Sequence, residues 1–404
     1  MTPPLPVESA LERVLACCRR LPAESVALAA SLGRVTHGEV HSDLDLPPFD
    51  NSAVDGYAVR AGDLAATDRL PVQTTVAAGD QPVTLLPGHA AKIMTGAPLP
   101  AGADAVVMVE QTETVDGQVR FGSGVRLGAH CRRVGEDLRR GGVVVRDGTT
   151  IGHPEMALLA AVGAAEVAVA RRPRAAVVST GDELVDITVQ PRPGQLRDSS
   201  LYALPAQLAA WGVEIVEVAR AADSPEALEP LFGRFEELDL VLTAGGVSMG
   251  DRDFVRPVFE RLGQPEFWRV AIKPGKPLLF GRLGQALFFG LPGNPVSSMV
   301  TTDLFVRPAV DALLGRRDGA RLQVRGRLSV AFRSDANRTE YVRVVAEPDA
   351  DGVWQALPTG DQSSGMMTSM QGANAYAVVP IGTAEVPAGG EVLLELFARK
   401  GTLG

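Results

Sequence analysis

Between residues 175 and 314, short runs of small and β-branched apolar residues alternate with helical patterns. No other feature of the chain constrains its fold as strongly. Strands are expected over 175–179, 213–219, 238–243 and 286–290, and helices over 199–211, 224–235, 252–262 and 296–314. Strands that alternate with helices build βαβ units, hence a mainly parallel sheet. Apolar runs at 278–280 and 285–289, split by a Gly-containing turn, read as a hairpin inside that sheet. Open sheets of this kind bind ligands beyond the carboxyl ends of their strands, so the loops there carry the functional argument.

The flanking segments follow other periodicities. Val7, Leu11, Val14 and Leu15 mark one face of a helix over 7–20, and 28–33 reads as a short turn or helix. The acidic, Pro-broken stretch 43–55 reads as a loop. From there to 148, Gly, Pro and Asp separate strand candidates at 57–59, 72–76, 105–110 and 143–146, followed by a helix over 150–163. Beyond 322 the runs 322–330, 340–346, 353–357, 375–379 and 391–396 predict a small all-β tail domain.

Several functional classes are disfavoured. The formal net charge is -9 and no basic stripe offsets it, which argues against a nucleic-acid ligand. Cys17, Cys18 and Cys131 form no Cys-x-x-Cys pair, so neither a disulfide framework nor a zinc site is expected. The five histidines include no His-Glu metal motif. Ser179 and Ser248 have no recognisable His–Asp partners, which disfavours covalent serine catalysis. Met366, Met367 and Met370 read as a loop or adaptable contact surface. The long uncharged stretches 283–302 and 362–384 are broken by polar residues, Gly or Pro, so no membrane span is expected. The N-terminus lacks the pattern of a signal peptide, and a cytoplasmic protein is expected.

Four loops of the α/β block stand out. In STGDEL, Gly181 permits close backbone approach, Thr180 offers a hydroxyl, and Asp182 and Glu183 place two carboxylates beside it. The plainer alternative is a turn with an acidic helix start. In TAGGVSMGDRD, Gly245, Gly246 and Gly250 can cradle a phosphate with backbone N–H groups, and Ser248 adds a hydroxyl. Asp251 and Asp253 could hold a cation that bridges to phosphate, or one of them could cap the next helix. In IKPGKP, Lys273 and Lys276 flank a Pro-Gly turn and suit a phosphate or oxyanion; a solvated turn is the alternative. In GLPGNPVSS, backbone N–H groups with Ser297 and Ser298 could bind an anion, unless Asn294 and Pro295 simply open a helix. Together the loops supply a backbone cradle, hydroxyls, lysines and carboxylates, a set suited to a phosphorylated ligand, a divalent cation and an oxyanion. Asp50, Asp55, Glu136 and Asp137 lie in acidic turns to which spacing alone gives no mechanism.

In order along the chain, DNSAVDGYAV, TGAPLPAGADAVVMVE, RVGED, STGDEL, TAGGVSMGDRDF, AIKPGKPLLFG and GLPGNPVSS resemble the signature segments of the MoeA family, the molybdopterin molybdenumtransferases. The resemblance runs over about 7–396. It implies Mg²⁺-dependent insertion of molybdate into adenylylated molybdopterin, with release of AMP and formation of molybdenum cofactor. Four domains are implied: a discontinuous linker domain at 1–48 and 138–171, a β-rich domain at 49–137, a three-layer α/β/α pterin-binding domain at 172–315, and a C-terminal β barrel at 316–404. An elongated homodimer is implied too, with Asp55 and Asp137 facing the partner's pterin site. Transient contact with molybdopterin adenylyltransferase and with molybdoenzyme maturation proteins is expected.

Carried over by motif, the catalytic set is Asp55, Asp137, Glu183, Asp253, Lys273 and Lys276. The resemblance assigns cofactor binding to Thr180, Gly181, Asp182, Asp223, Gly245, Gly246, Ser248, Arg269, Pro292, Gly293, Asn294 and Ser298. The metal carboxylates are Glu183, Asp223 and Asp253, although Asp223 could equally cap a helix before Ser-Pro. Two positions depart from the family: Arg269 stands where a lysine is common, and Ser200 where an asparagine is common. The rival readings are a molybdopterin adenylyltransferase, a non-catalytic scaffold of the same fold, and another nucleotide- or sugar-phosphate-binding α/β protein.

Overall fold

The computed structural model describes residues 3–248, 250 and 253–397. The chain divides into two compact units, one of Met1–Gly38, Asp147–Met156 and Glu166–Gly404, the other of Glu39–Arg146 and Ala157–Ala165.

The first unit is organised around a six-stranded sheet. Its strands are β1 (Arg174–Thr180), β2 (Glu214–Ala221), β3 (Leu240–Ala244), β4 (Gln264–Trp268), β5 (Leu279–Leu283) and β6 (Ala286–Leu291), in the order β2-β1-β3-β6-β5-β4. Pairing is parallel from β2 through β1 and β3 to β6, and antiparallel where β5 and β4 complete the sheet. The helices are α1 (Ser200–Ala210), α2 (Pro225–Phe235), α3 (Val255–Leu262), α4 (Pro295–Thr301) and α5 (Arg307–Leu314). Alternate residues of one strand serve opposite cores. Ala175 and Val177 pack with Leu204, Leu208 and Val300 on one face, while Ala176 and Val178 pack with Leu228, Phe232 and Phe259 on the other. The edge strand β2 alternates exposed Glu214, Val216, Val218 and Arg220 with half-buried Ile215, Glu217 and Ala219.

The single helix expected over 296–314 is interrupted by a π turn, Thr302–Val306. Pro308 follows it and has no N–H to give the Leu304 carbonyl, so the regular i to i−4 ladder cannot run through. The N-terminal helix is shorter than its pattern and ends at Cys17, while its Val7, Ala10 and Val14 join the first core. Ala23–Ala27 pairs antiparallel with Glu166–Ala170, so chain from before and after the second unit meets in one ribbon.

The five tail runs appear as Gln323–Leu328, Thr339–Pro348, Trp354–Pro358, Ala375–Val379 and Glu391–Leu396. They close into a barrel, because Thr339–Pro348 pairs with both Trp354–Pro358 and Ala375–Val379. The two-residue strand Ile272–Lys273, just before β5, adds in parallel to Thr339 and Glu340 of that barrel.

The second unit holds a six-stranded sheet with the order Ala105–Met108, Gly56–Val59, Ala90–Ile93, Arg69–Val76, Gln118–Phe121, Thr112–Val115. Three of these strands, Ala90–Ile93, Thr112–Val115 and Gln118–Phe121, were not expected. Each carries a polar or charged residue within its four positions, unlike the apolar runs Gly56–Val59 and Ala105–Met108, so none stands out as a strand.

Candidate active site

The carboxyl ends of β1, β3 and β6 open onto a cavity of about 930 Å³ in the first unit. Two glycines allow the loops after β1 and β3 to touch. A Cβ on Gly245, whose φ is +101°, would lie 2.4 Å from the Thr180 carbonyl oxygen. One on Gly246 would lie 2.6 Å from a Val255 methyl. The Gly245 N–H donates to the Leu291 carbonyl at 3.1 Å, tying this loop to the end of β6. Trp268 steadies it from behind, its Nε1 donating to the Val247 carbonyl at 2.8 Å.

Most of the expected residues line this one cavity: Thr180, Gly181, Asp182, Glu183, Asp223, Gly245, Gly246, Ser248, Asp253, Lys273, Lys276, Pro292, Gly293 and Asn294. Asp251 lies outside the described residues. Asp55, Asp137, Ser298 and Arg269 are absent from the lining. Ser298 is fully buried and donates to the Pro295 carbonyl at 2.9 Å, and its neighbour Ser297 reaches the cavity instead. Arg269 lies over the Trp268 ring, 3.9 Å from its centroid. Ser200, at the other departure from the family pattern, does line the cavity.

Several bland alternatives are excluded by the bonding. Ser224, not Asp223, caps α2, its side chain accepting from the Ala227 N–H. The Asp223 carboxylate instead takes the Thr180 hydroxyl and, at 3.2 Å, the Asp182 N–H. No helix follows Asp182 and Glu183; Leu184–Val185 pairs with Leu196–Arg197 and the excursion between them forms a wall. Asp253 accepts the Gly250 N–H at 2.6 Å and closes its own loop. Asn294 makes no side-chain cap; its Nδ2 donates to Ser364 Oγ at 2.9 Å.

The barrel completes the cavity with Arg338, Gln362 and Ser364, none of which was singled out from sequence. Behind them lies Glu340, 2% exposed, whose Oε1 is 2.8 Å from Lys273 Nζ. Arg343, 1% exposed, shapes the loop that carries Gln362 and Ser364, donating to the carbonyls of Asp361, Gln362 and Ser363 and to Ser369 Oγ. The available signal was two charges, Glu340 and Arg343, inside an otherwise buried strand run.

Among the described residues, five carboxylates (Asp182, Glu183, Asp198, Asp223, Asp253) and four cationic side chains (Arg197, Lys273, Lys276, Arg338) line the cavity. Asp198 is already neutralised by Arg220 at 3.2 Å, and Lys273 by Glu340. Apart from Arg197, which shares the excursion after β1 with Asp182 and Glu183, cation-holding and anion-holding groups come from different elements. Asp182, Glu183, Asp223 and Asp253 follow β1, β2 and β3, whereas Lys273 and Lys276 precede β5 and Arg338 belongs to the barrel. Among the described residues no three His, Cys, Asp or Glu side chains are clustered as ligands for a metal ion. Glu183, Asp223 and Asp253 share the cavity without forming such a cluster.

Asp55 and Asp137 belong to the second unit. Asp55 accepts both the N–H and the hydroxyl of Thr95, at 2.7 and 2.9 Å, and these bonds hold its carboxyl below the usual range. Asp137 is exposed and lines a small cavity of about 300 Å³ with Pro47, Arg132 and Glu136.

Comparison with known proteins agrees with this architecture. Three family models cover the chain in succession: the MoeA N-terminal region (domain I and II) at 5–163, a probable molybdopterin binding domain at 176–312, and the MoeA C-terminal region (domain IV) at 325–397. The molybdopterin molybdenumtransferase of Haemophilus influenzae is 35% identical over 378 residues, 93% of this chain and 94% of that protein. The chain belongs to the MoeA family. Molybdopterin molybdenumtransferase 1 of Mycobacterium tuberculosis is 37% identical over 404 residues, covering 93% of this chain and 95% of its own. A crystal structure of the Pyrococcus horikoshii molybdopterin biosynthesis moeA protein matches with a TM-score of 0.86 and 26% identity, over 98% of this chain and 100% of that one. Among the described residues no helix is long and apolar enough to cross a membrane.

Proposed function

We propose that the chain is a molybdopterin molybdenumtransferase that inserts molybdate into adenylylated molybdopterin with Mg²⁺, releasing AMP and forming molybdenum cofactor. The observation that carries the reading is one cavity holding both a glycine-built phosphate cradle and a lysine pair, in a chain of this family. Backbone N–H groups of the loops after β3 and β6 bind the phosphate side of the pterin. Lys276, exposed and without a partner among the described residues, works with Lys273 and Arg338 to hold molybdate oxygens and stabilise developing negative charge. The Thr180–Asp223 bond fixes the wall beside the nucleotide.

The carboxylates present fit a magnesium ion. Mg²⁺ keeps water and substrate oxygens as ligands and needs only one or two protein carboxylates. Glu183 makes no side-chain hydrogen bond among the described residues, and one oxygen of Asp253 carries the Gly250 N–H. Those two carboxylates would hold the ion, while Asp223, the third candidate, already accepts the Thr180 hydroxyl and the Asp182 N–H. Bound there, it supplies charge neutralisation to the phosphoanhydride.

The protein works as a cytoplasmic homodimer in this reading, and Asp55 and Asp137 serve the partner subunit's cavity. It exchanges substrate with molybdopterin adenylyltransferase and product with molybdoenzyme maturation proteins. Single-turnover conversion of adenylylated molybdopterin, with molybdate and Mg²⁺ omitted in turn, tests the activity. AMP release with cofactor formation, requiring both additions, is expected. Tight pterin binding without release would overturn the reading.

A further inference from the structure

We propose that Glu340 of the barrel is a positioning residue, which fixes the Lys273 ammonium at the molybdate corner of the cavity and so makes oxyanion affinity depend on the barrel. The proposal rests on the functional reading above. Lys273 and Glu340 are register partners in the parallel pairing of Ile272–Lys273 with Thr339–Glu340. The Glu340 carboxylate is 2% exposed and fully engaged, with Oε1 2.8 Å from Lys273 Nζ and Oε2 accepting Ser334 Oγ at 3.0 Å. Lys273 itself remains 35% exposed at the cavity wall.

An ammonium has three N–H donors. One goes to Glu340, which leaves two for a ligand. Lys273 cannot swing out to follow a ligand, because the move would strand a buried carboxylate without its counter-charge. Its place is therefore set before molybdate arrives. Lys276, in the same loop, has no such anchor among the described residues.

Pre-positioning and simple electrostatics predict opposite results for Glu340→Gln. Removing a negative charge beside the lysine would, on charge alone, tighten oxyanion binding. On the positioning argument it weakens binding, because a long side chain must then be ordered by the ligand. The expected rise in half-saturating molybdate is roughly 3- to 10-fold, from the entropy of one such side chain. The rate at saturating molybdate and the affinity for adenylylated molybdopterin should stay at wild-type values, a split that general loss of structure would not produce. Glu340→Asp should recover part of the effect, and Ser334→Ala, which removes only the second anchor of the carboxylate, should give a smaller shift in the same direction.

Wild-type turnover, measured first, tests the functional reading; the variant-to-wild-type ratio tests Glu340. Amine acetylation footprinting of the ligand-free protein tests Glu340 without activity. Lys273 should react more slowly than Lys276 in the wild type and approach it in Glu340→Gln. An unchanged or lowered molybdate requirement in both Glu340→Gln and Ser334→Ala, or unchanged Lys273 reactivity in Glu340→Gln, would overturn the proposal.

Discussion

Gly245→Ala isolates how much the site depends on two loops lying in contact. The added Cβ would sit 2.4 Å from the Thr180 carbonyl oxygen, and real Cβ atoms essentially never come within 3.0 Å, so one loop must retreat by at least about 0.6 Å. The left-handed backbone adds its own cost, of about 1–3 kcal/mol for a residue other than glycine. Gly212→Ala is the control. Its φ is +88°, yet nothing lies within 4 Å of the added Cβ, so it carries the backbone cost without the collision. Both variants should lower the melting temperature by about 2–4 °C per kcal/mol. Only Gly245→Ala should also lose turnover, on the order of 10- to 100-fold, because displacement approaching 1 Å disrupts a positioned reaction. The assay is single-turnover AMP release beside a thermal melt. Equal turnover in the two variants would refute the idea that loop contact sets the geometry.

Two further outcomes follow from buried or paired charges. The Arg20 guanidinium, and then the Gly38 N–H, lower the Asp147 carboxyl from its ordinary 3.8 to about 2. Because the folded value is the depressed one, Asp147 stabilises fully above about pH 4 and the contribution fades as pH falls to about 2; Asp147→Asn should flatten that limb of an acid titration of stability and be less stable at neutral pH. Arg343→Met leaves the carbonyls of 361–363 without their donor, so urea unfolding should show a loss of at least about 2 kcal/mol and limited proteolysis should cut faster within 359–370. Unchanged cleavage would show that Arg343 does not shape the loop.

The parts of the site legible in sequence are those written locally. β1 and β3 are short apolar runs followed directly by glycine, β6 is one followed by Pro292 and Gly293, and the loop after each carries its own chemistry, so these three strands and their loops could be read directly. The direction of a side chain could not. Ser297 and Ser298 are adjacent, yet only the former reaches the cavity, and Arg269 packs on an indole whose position depends on tertiary packing. The barrel's contribution was hidden for a related reason. Glu340 lies in a β-rich run that shows it pairs but not with what, and its partner is Lys273, 67 residues earlier in the two-residue strand before β5. The π turn at 302–306 escaped because its apolar pattern continues the helical one on both sides.

The strand order carries a consequence for how the protein is made. β6 is the last strand of its sheet to be synthesised, yet it lies between β3 and β5. Until residue 291 has left the ribosome, β3 has an unpaired edge and the Gly245 loop lacks the carbonyl that anchors it. The opposite wall waits longer, for Glu340 and then for Ser364. A nascent chain can therefore complete its second unit, which ends at Ala165, well before any cavity exists, and a chain interrupted after 315 would have a finished sheet but no barrel wall. Competence for the reaction arrives only with the last quarter of the protein.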